Sequence, residues 1–276
     1  MDRDNQVLDI AKRTVLYRVP EMDSVTVRRD VDYGSPGRGL TMDIYYPPGW
    51  KPADRTPAVV VVAGYPDLGF KTKVGCLFKE MGSSISWGRL MAASGLAAIC
   101  YTNRDPTVDF DALIRDIHQN AAALGIDANR IGLWASSGNV PLALSTLMEK
   151  DRGYLRCAAL CYGYTLDMEG FTAVAETART FGFVNPAAGK WVNDIRPDVP
   201  LFIARAGQDQ LPHLNDTLDR FITRSLACNL PITFTNHRDG PHAFDLLHDS
   251  GTTRDIVRQI LAFLRAHLLP EPSGKM

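Results

Sequence analysis

Apolar residues along the chain fall into short continuous runs, separated by stretches in which they recur every three or four positions. The runs at 58–62, 96–102, 130–134, 156–161, 200–205 and 231–236 predict strands buried within a sheet. Two earlier segments, 24–29 and 40–46, alternate in polarity on either side of a turn-forming stretch at 32–37, so they read as an antiparallel hairpin at a sheet edge. Between the strands, 85–93, 110–124, 139–150, 215–227 and 252–267 carry the spacing of helices with one apolar stripe. Strands alternating with helices specify an α/β fold: eight strands, mostly parallel, with helices on both faces, in one domain over 1–276.

The stretch 163–199 breaks that alternation. Phe171, Val174, Ala178 and Phe181 share a helical face there, which predicts a short inserted helix capping the carboxyl end of the sheet and confining a substrate pocket. Ordinary core packing needs the same kind of stripe. Segment 66–84, with Lys71, Lys73, Cys76 and Lys79, reads as a loop near that pocket without an assigned ligand, and 270–276 reads as a disorder-prone tail.

Composition narrows the function classes. Lys plus Arg number 30 and Asp plus Glu 31, so no global field draws the chain to nucleic acid, an anionic membrane or a highly charged partner. A small neutral or mixed-charge substrate fits better. No apolar run approaches the ~20 residues of a membrane-spanning helix, and the polar start Met-Asp-Arg-Asp-Asn-Gln lacks a signal-peptide layout, so a cytoplasmic location is expected. The five cysteines are expected to be reduced, with Cys100, Cys157 and Cys161 packing in strands as small hydrophobes. Neither a metal-ligand spacing nor a phosphate-binding glycine loop occurs, so no metal and no cofactor are expected.

The chemistry concentrates at 130–141, where an apolar strand runs into small residues around a serine. In Ala135-Ser136-Ser137-Gly138-Asn139 the spacing approximates Gly-x-Ser-x-Gly, the turn that lifts a serine hydroxyl above a strand end, with Ala135 and Asn139 in place of the outer glycines. A frame centred on Ser136 would put Trp134 in the tight position. Both serines could instead simply cap the following helix. A serine nucleophile needs a general base and an acid to orient it. Asp209 follows the strand at 200–205, and His242 lies in Asp239-Gly-Pro-His242-Ala-Phe after the last strand, with His237 as its rival for the base. The order Ser137, Asp209, His242, each beyond a successive strand, is that of an α/β-hydrolase.

Over nearly its whole length, from Leu40-Thr-Met-Asp-Ile-Tyr-Tyr-Pro onward, the chain resembles the α/β-hydrolase superfamily. Through Gly132-Leu-Trp-Ala-Ser-Ser137-Gly, Ala206-Gly-Gln-Asp209 and Gly240-Pro-His242-Ala-Phe-Asp it resembles most the dienelactone-hydrolase-like and small carboxylesterase branch. The resemblance implies Ser137 as nucleophile, Asp209 as acid and His242 as base. It also implies an oxyanion hole from the backbone N–H groups of Tyr65 and Gly138, although Ala63-Gly64-Tyr65-Pro66 lacks the family's histidine before the glycine. Dienelactone hydrolases proper use a cysteine where this chain has Ser137. The expectation is a serine hydrolase for carboxylic esters of roughly two to six acyl carbons, because a small cap limits the room in which each further CH₂ could contribute ~0.8 kcal/mol. The alternatives are an amide, thioester or lactone hydrolase, or a ligand-binding protein on a hydrolase fold whose chemistry has decayed.

Overall fold

The computed structural model describes residues 10–35 and 37–270, so the tail residues 271–276 lie outside it. Eight strands form one sheet: β1 (Thr26–Asp32), β2 (Thr41–Tyr46), β3 (Thr56–Val61), β4 (Ala97–Tyr101), β5 (Ile126–Ser136), β6 (Leu155–Cys161), β7 (Leu201–Gln208) and β8 (Ile232–Pro241). Their order across the sheet is β1-β2-β4-β3-β5-β6-β7-β8. β1 and β2 pair antiparallel, as does β2 with β4, and the pairings from β4 through β8 are parallel. Every residue of β3 and β4 is buried. Since successive side chains of a strand point to opposite faces, both faces of the sheet are covered there.

The helices are α1 (Asp67–Val74), α2 (Gly82–Ala93), α3 (Pro106–Leu124), α4 (Val140–Leu147), α5 (Ala173–Phe181), α6 (Leu214–Ala227), α7 (Phe244–Leu247) and α8 (Gly251–Leu268). The segment 66–84 therefore is not all loop: it contains α1 and a 3-10 turn, Phe78–Glu80. Cys100, Cys157 and Cys161 are buried free thiols, and burial pushes their pKa values up. Among the described residues no helix is long and apolar enough to cross a membrane.

One buried ion cluster anchors the segment after α1 to the edge hairpin. Lys79 is 4% exposed, and its ammonium reaches Asp30 at 2.5 Å and Asp43 at 2.7 Å. Burial works against the ammonium, yet the hydrogen bonds and charges of the two carboxylates outweigh it and hold the Lys79 pKa above its ordinary value. Asp43 is buried too, so removing the lysine leaves its carboxylate with only the Asp30 N–H at 2.9 Å and the Arg29 guanidinium at 3.7 Å. Lys79→Met is expected to destabilise the fold by about 3 kcal/mol, the cost of breaking a buried pair from one side. Urea unfolding checks this as a lower midpoint at unchanged slope, and an unchanged midpoint contradicts it.

Candidate active site

The elbow forms at the carboxyl edge of the sheet. β5 ends at Ser136, a 3-10 turn covers Ser137–Asn139, and α4 follows at once with a proline in its first turn. Ser137 has φ 54°, a left-handed conformation that costs a non-glycine residue roughly 1–3 kcal/mol. Its neighbours must be small or specifically bonded. A Cβ added to Gly138 would collide with the Tyr65 hydroxyl and the Phe183 ring, and one added to Gly64 would stand 3.0 Å from the Gly138 carbonyl oxygen.

Asp209 and His242 arrive at the same edge through a distortion of the last strand pair. Ala206 pairs with His237, but Gln208 pairs with Pro241, so β8 uses four steps where β7 uses two. This bulge delivers the next residues, Asp209 and His242, to each other. The His242 ring has Nδ1 2.7 Å from Asp209 Oδ2 and Nε2 3.0 Å from Ser137 Oγ. The Asp209 side chain is fully buried, and its other oxygen accepts the Leu211 N–H at 3.0 Å. With Nδ1–H donated to a carboxylate, Nε2 is the lone-pair nitrogen that faces the serine. Among the described residues, the backbone N–H groups of Tyr65 and Gly138 make no hydrogen bond to another element.

A cavity of about 440 Å³ opens at Ser137. Its walls include Phe70, Val74, Phe78, Met81, Trp134 and Leu246, with Ser136, Tyr162 and Asp245 supplying polar atoms on one side. Segment 66–84 does line the pocket, through Phe70, Val74, Phe78, Met81, Ser83 and Ser84. Of the polar residues singled out there, Lys79 is tied to Asp30 and Asp43, and Lys73 donates to the Phe181 carbonyl oxygen at 3.2 Å.

Solved structures of similar architecture span most of this chain. Esterase Est2 from the planctomycete Thermogutta terrifontis matches with TM-score 0.63 at 21% identity, covering 93% of this chain and 97% of its own. Other structures of that esterase hold propionate or butyrate, or carry tabun or sarin adducts. A mutant of esterase rPPE matches with TM-score 0.68 at 14% identity, covering 92% of this chain and 86% of its own. This is the α/β-hydrolase fold. Dipeptidyl peptidase 4 from Porphyromonas gingivalis shares it too, with TM-score 0.62 at 15% identity over 88% of this chain and 35% of the peptidase. No protein-family model matches the chain, and neither does any curated protein. One hydrolase fold thus carries both esterases and a peptidase, and chemistry has to be argued from the site.

The hydrolase scaffold places the stripe of the inserted segment differently from expectation. Val174 and Ala178 are buried, and they pack with Tyr164, Phe183 and Leu214 in a small core of their own. Phe171 precedes α5 and lies against the Arg220 guanidinium, 4.1 Å from its ring centre, while Phe181 is 43% exposed beside α1. Neither ring lines the cavity at Ser137, because a nine-residue helix buries the middle of its stripe and leaves the ends at its rim. The aromatic residue of the insertion that reaches the site is Phe183. Its ring stacks on Tyr164 and meets Tyr65 edge-on, against Gly138.

Two further groups escaped sequence reasoning. Tyr162 follows β6 with φ 35°, and its ring meets the His242 ring edge-on at 5.0 Å between centres. Its hydroxyl donates to Asp245 Oδ1 at 2.6 Å, and Trp87 Nε1 donates to the other oxygen at 2.8 Å. Burial raises the Asp245 pKa against these hydrogen bonds. Tyr162 thus packs edge-on against the imidazole, with its own hydroxyl held by Asp245. Asp245 stands in the same Gly-Pro-His-Ala-Phe-Asp motif that pointed to His242, which was the available signal.

His237 has other partners. It is 2% exposed, with Nε2 3.0 Å from Thr253 Oγ1 and 3.3 Å from His248 Nδ1, so it closes the base of the loop that carries His242. Burial first, and then the charge of His248, lower its pKa. Just below the ordinary histidine value of about 6.5 the unfolded chain therefore holds more protons than the folded one. Stability contributed by neutral His237 is present above that value and is lost as pH falls through the lowered pKa. His237→Gln is expected to flatten the acid side of a plot of Tm against pH. Superimposable acid limbs for wild type and variant would contradict this role.

Proposed function

We propose that the protein is a serine hydrolase that cleaves carboxylic esters with a neutral, apolar, short acyl group through an acyl-enzyme. The observation that carries this reading is the unbroken hydrogen-bond path from Ser137 Oγ through the His242 ring to Asp209. As the serine attacks the ester carbonyl, His242 Nε2 takes the hydroxyl proton, and buried Asp209 stabilises the imidazolium. The carbonyl oxygen becomes an oxyanion facing the Tyr65 and Gly138 N–H groups. The imidazolium then protonates the leaving alcohol. Water activated by the same ring attacks the acyl-enzyme and releases the acid. A lactone is a cyclic ester open to the same steps, so the dienelactone-hydrolase resemblance is compatible with this reading.

The acyl preference rests on the cavity wall. Phe78 and Met81 are each under a tenth exposed and form part of the pocket lining. Esterase Est2, similar in fold, has been seen with propionate and butyrate, which supports short acids as products here. In this reading the insertion 163–199 braces the site through Phe183 rather than covering it with Phe171 and Phe181.

Fluorophosphonate labelling tests the chemistry. Wild type and Ser136→Ala are expected to label and to hydrolyse p-nitrophenyl butyrate, while Ser137→Ala loses both, with turnover down by about 10⁴-fold or more. An unreactive wild type would identify a non-catalytic protein on this fold, and a reactive Ser137→Ala would move the nucleophile.

A panel of acyl lengths tests the wall. Phe78→Ala and Met81→Ala are expected to shift preference toward longer chains, because each newly buried CH₂ contributes ~0.8 kcal/mol. Phe171→Ala and Phe181→Ala should leave the profile unchanged. The reverse pattern would restore the insertion as the lid.

A further inference from the structure

The residue that departs most from the Gly-x-Ser-x-Gly pattern is Asn139, and its side chain occupies the junction between the elbow and the loop after β3. It is 3% exposed. Oδ1 accepts the Gly64 N–H at 2.7 Å, and Nδ2 donates to the Ser136 carbonyl oxygen at 3.0 Å. The amide can sit only this way round, because a flip would set N–H against N–H and oxygen against oxygen. Both ends of the side chain are therefore committed to backbone.

The consequence concerns the two N–H groups that face the reacting carbonyl. A peptide unit is planar and trans, so whatever holds its C=O also aims its N–H the opposite way. The unit that carries the Tyr65 N–H has Gly64 C=O at its other end, which accepts the Val184 N–H of the insertion at 2.9 Å. The unit that carries the Gly138 N–H has Ser137 C=O at its other end, which accepts the Val140 N–H. Each donor is thus aimed from behind. The last ladder bond between the two strands is Val62 N–H to the Trp134 carbonyl oxygen at 2.9 Å, and beyond it the only side chain bonding both backbones is Asn139 among the described residues. Its bond also occupies the Gly64 N–H, which leaves Tyr65 as the donor on that loop.

We propose that Asn139 is a positioning residue that fixes the spacing of the oxyanion donors Tyr65 and Gly138. The proposal rests on the reading of Ser137 as nucleophile. Asn139 touches no reacting atom. It acts before the reaction, by holding two loops at the separation that the tetrahedral oxygen requires, where a displacement of about 1 Å can cost on the order of 10²-fold in rate.

The experiment uses the full chain with a burst titration, so that each rate is counted per competent site and partial unfolding lowers the amplitude only. Asn139→Ala is expected to lower kcat on p-nitrophenyl butyrate by about 10- to 100-fold with KM within about threefold, and to slow fluorophosphonate labelling in parallel. Asn139→Asp keeps the size and the acceptor for Gly64 but sets an oxygen against the Ser136 carbonyl, and it is expected to lose kcat as well. It serves as the readout should the alanine variant fail to fold. Wild-type kcat per titrated site in either folded variant overturns the proposal, as does a loss confined to KM or to Tm. A wild type that neither labels nor turns over would instead overturn the hydrolase reading and this inference with it.

Discussion

At the end of β5 the chain must pass from an extended strand into a helix within three residues, and this reversal constrains the rest of the site. The left-handed backbone of Ser137 is unfavourable in isolation and persists only where its surroundings over-determine it. Here the strand is locked in register with β3 and β6, and α4 is buried throughout behind the turn. The loop backbone at Gly64 then lies so close to the elbow that a Cβ there would stand 3.0 Å from the Gly138 carbonyl oxygen, and a Cβ at Gly138 would collide with the Tyr65 and Phe183 side chains. The serine hydroxyl is left half-buried above the sheet, where His242 meets it.

The parallel strands and their covering helices were legible because strands buried on both faces read as continuous apolar runs, and β3 and β4 are buried to the last residue. Ser137, Asp209 and His242 were legible through their order along the chain, since each follows a strand ending at one edge. His237 and His242 could not be separated in this way. His237 lies within β8 and His242 just beyond its end, close to where the apolar run of that strand stops, and the bulge opposite Ala206–Gln208 decides which ring reaches Asp209. The local signals of that bulge are Gly207, Gly240 and Pro241: a Cβ at Gly207 would collide with the Arg238 carbonyl oxygen, and one at Gly240 with the His237 ring.

The place of segment 66–84 beside the pocket was legible, but the apolar character of that wall was not, for a different reason. Phe70 and Val74 lie on α1, a helix interrupted by Gly69 and two lysines, so no apolar stripe announced it. Phe78 follows on a 3-10 turn and Met81 just before α2, and the wall exists only once these pieces are folded together. The stripe that did stand out, in α5, was real but faced a separate small core. Periodicity shows that a face is buried without naming what it is buried against.

Buried polar side chains join these parts into one unit. Asp67 accepts the Phe78 N–H at 2.9 Å and the Asn103 N–H at 2.8 Å, so the pocket wall is tied to the chain leaving β4. Asn103 in turn donates to the Tyr65 carbonyl oxygen at 3.1 Å, on the loop that carries a proposed oxyanion donor. Burial raises the Asp67 pKa, while its two backbone hydrogen bonds work in the opposite direction. Apolar packing alone would hold such loops loosely, because one hydrophobic contact substitutes readily for another. A hydrogen bond in a dry interior has a fixed length and direction and is costly to leave unmade, so Asp67, Asn103, Asn139 and Asp245 give the loops a single geometry. Stabilisation of an oxyanion by backbone N–H groups needs that property above all, since donors that must reorganise during the reaction lose most of their advantage over water.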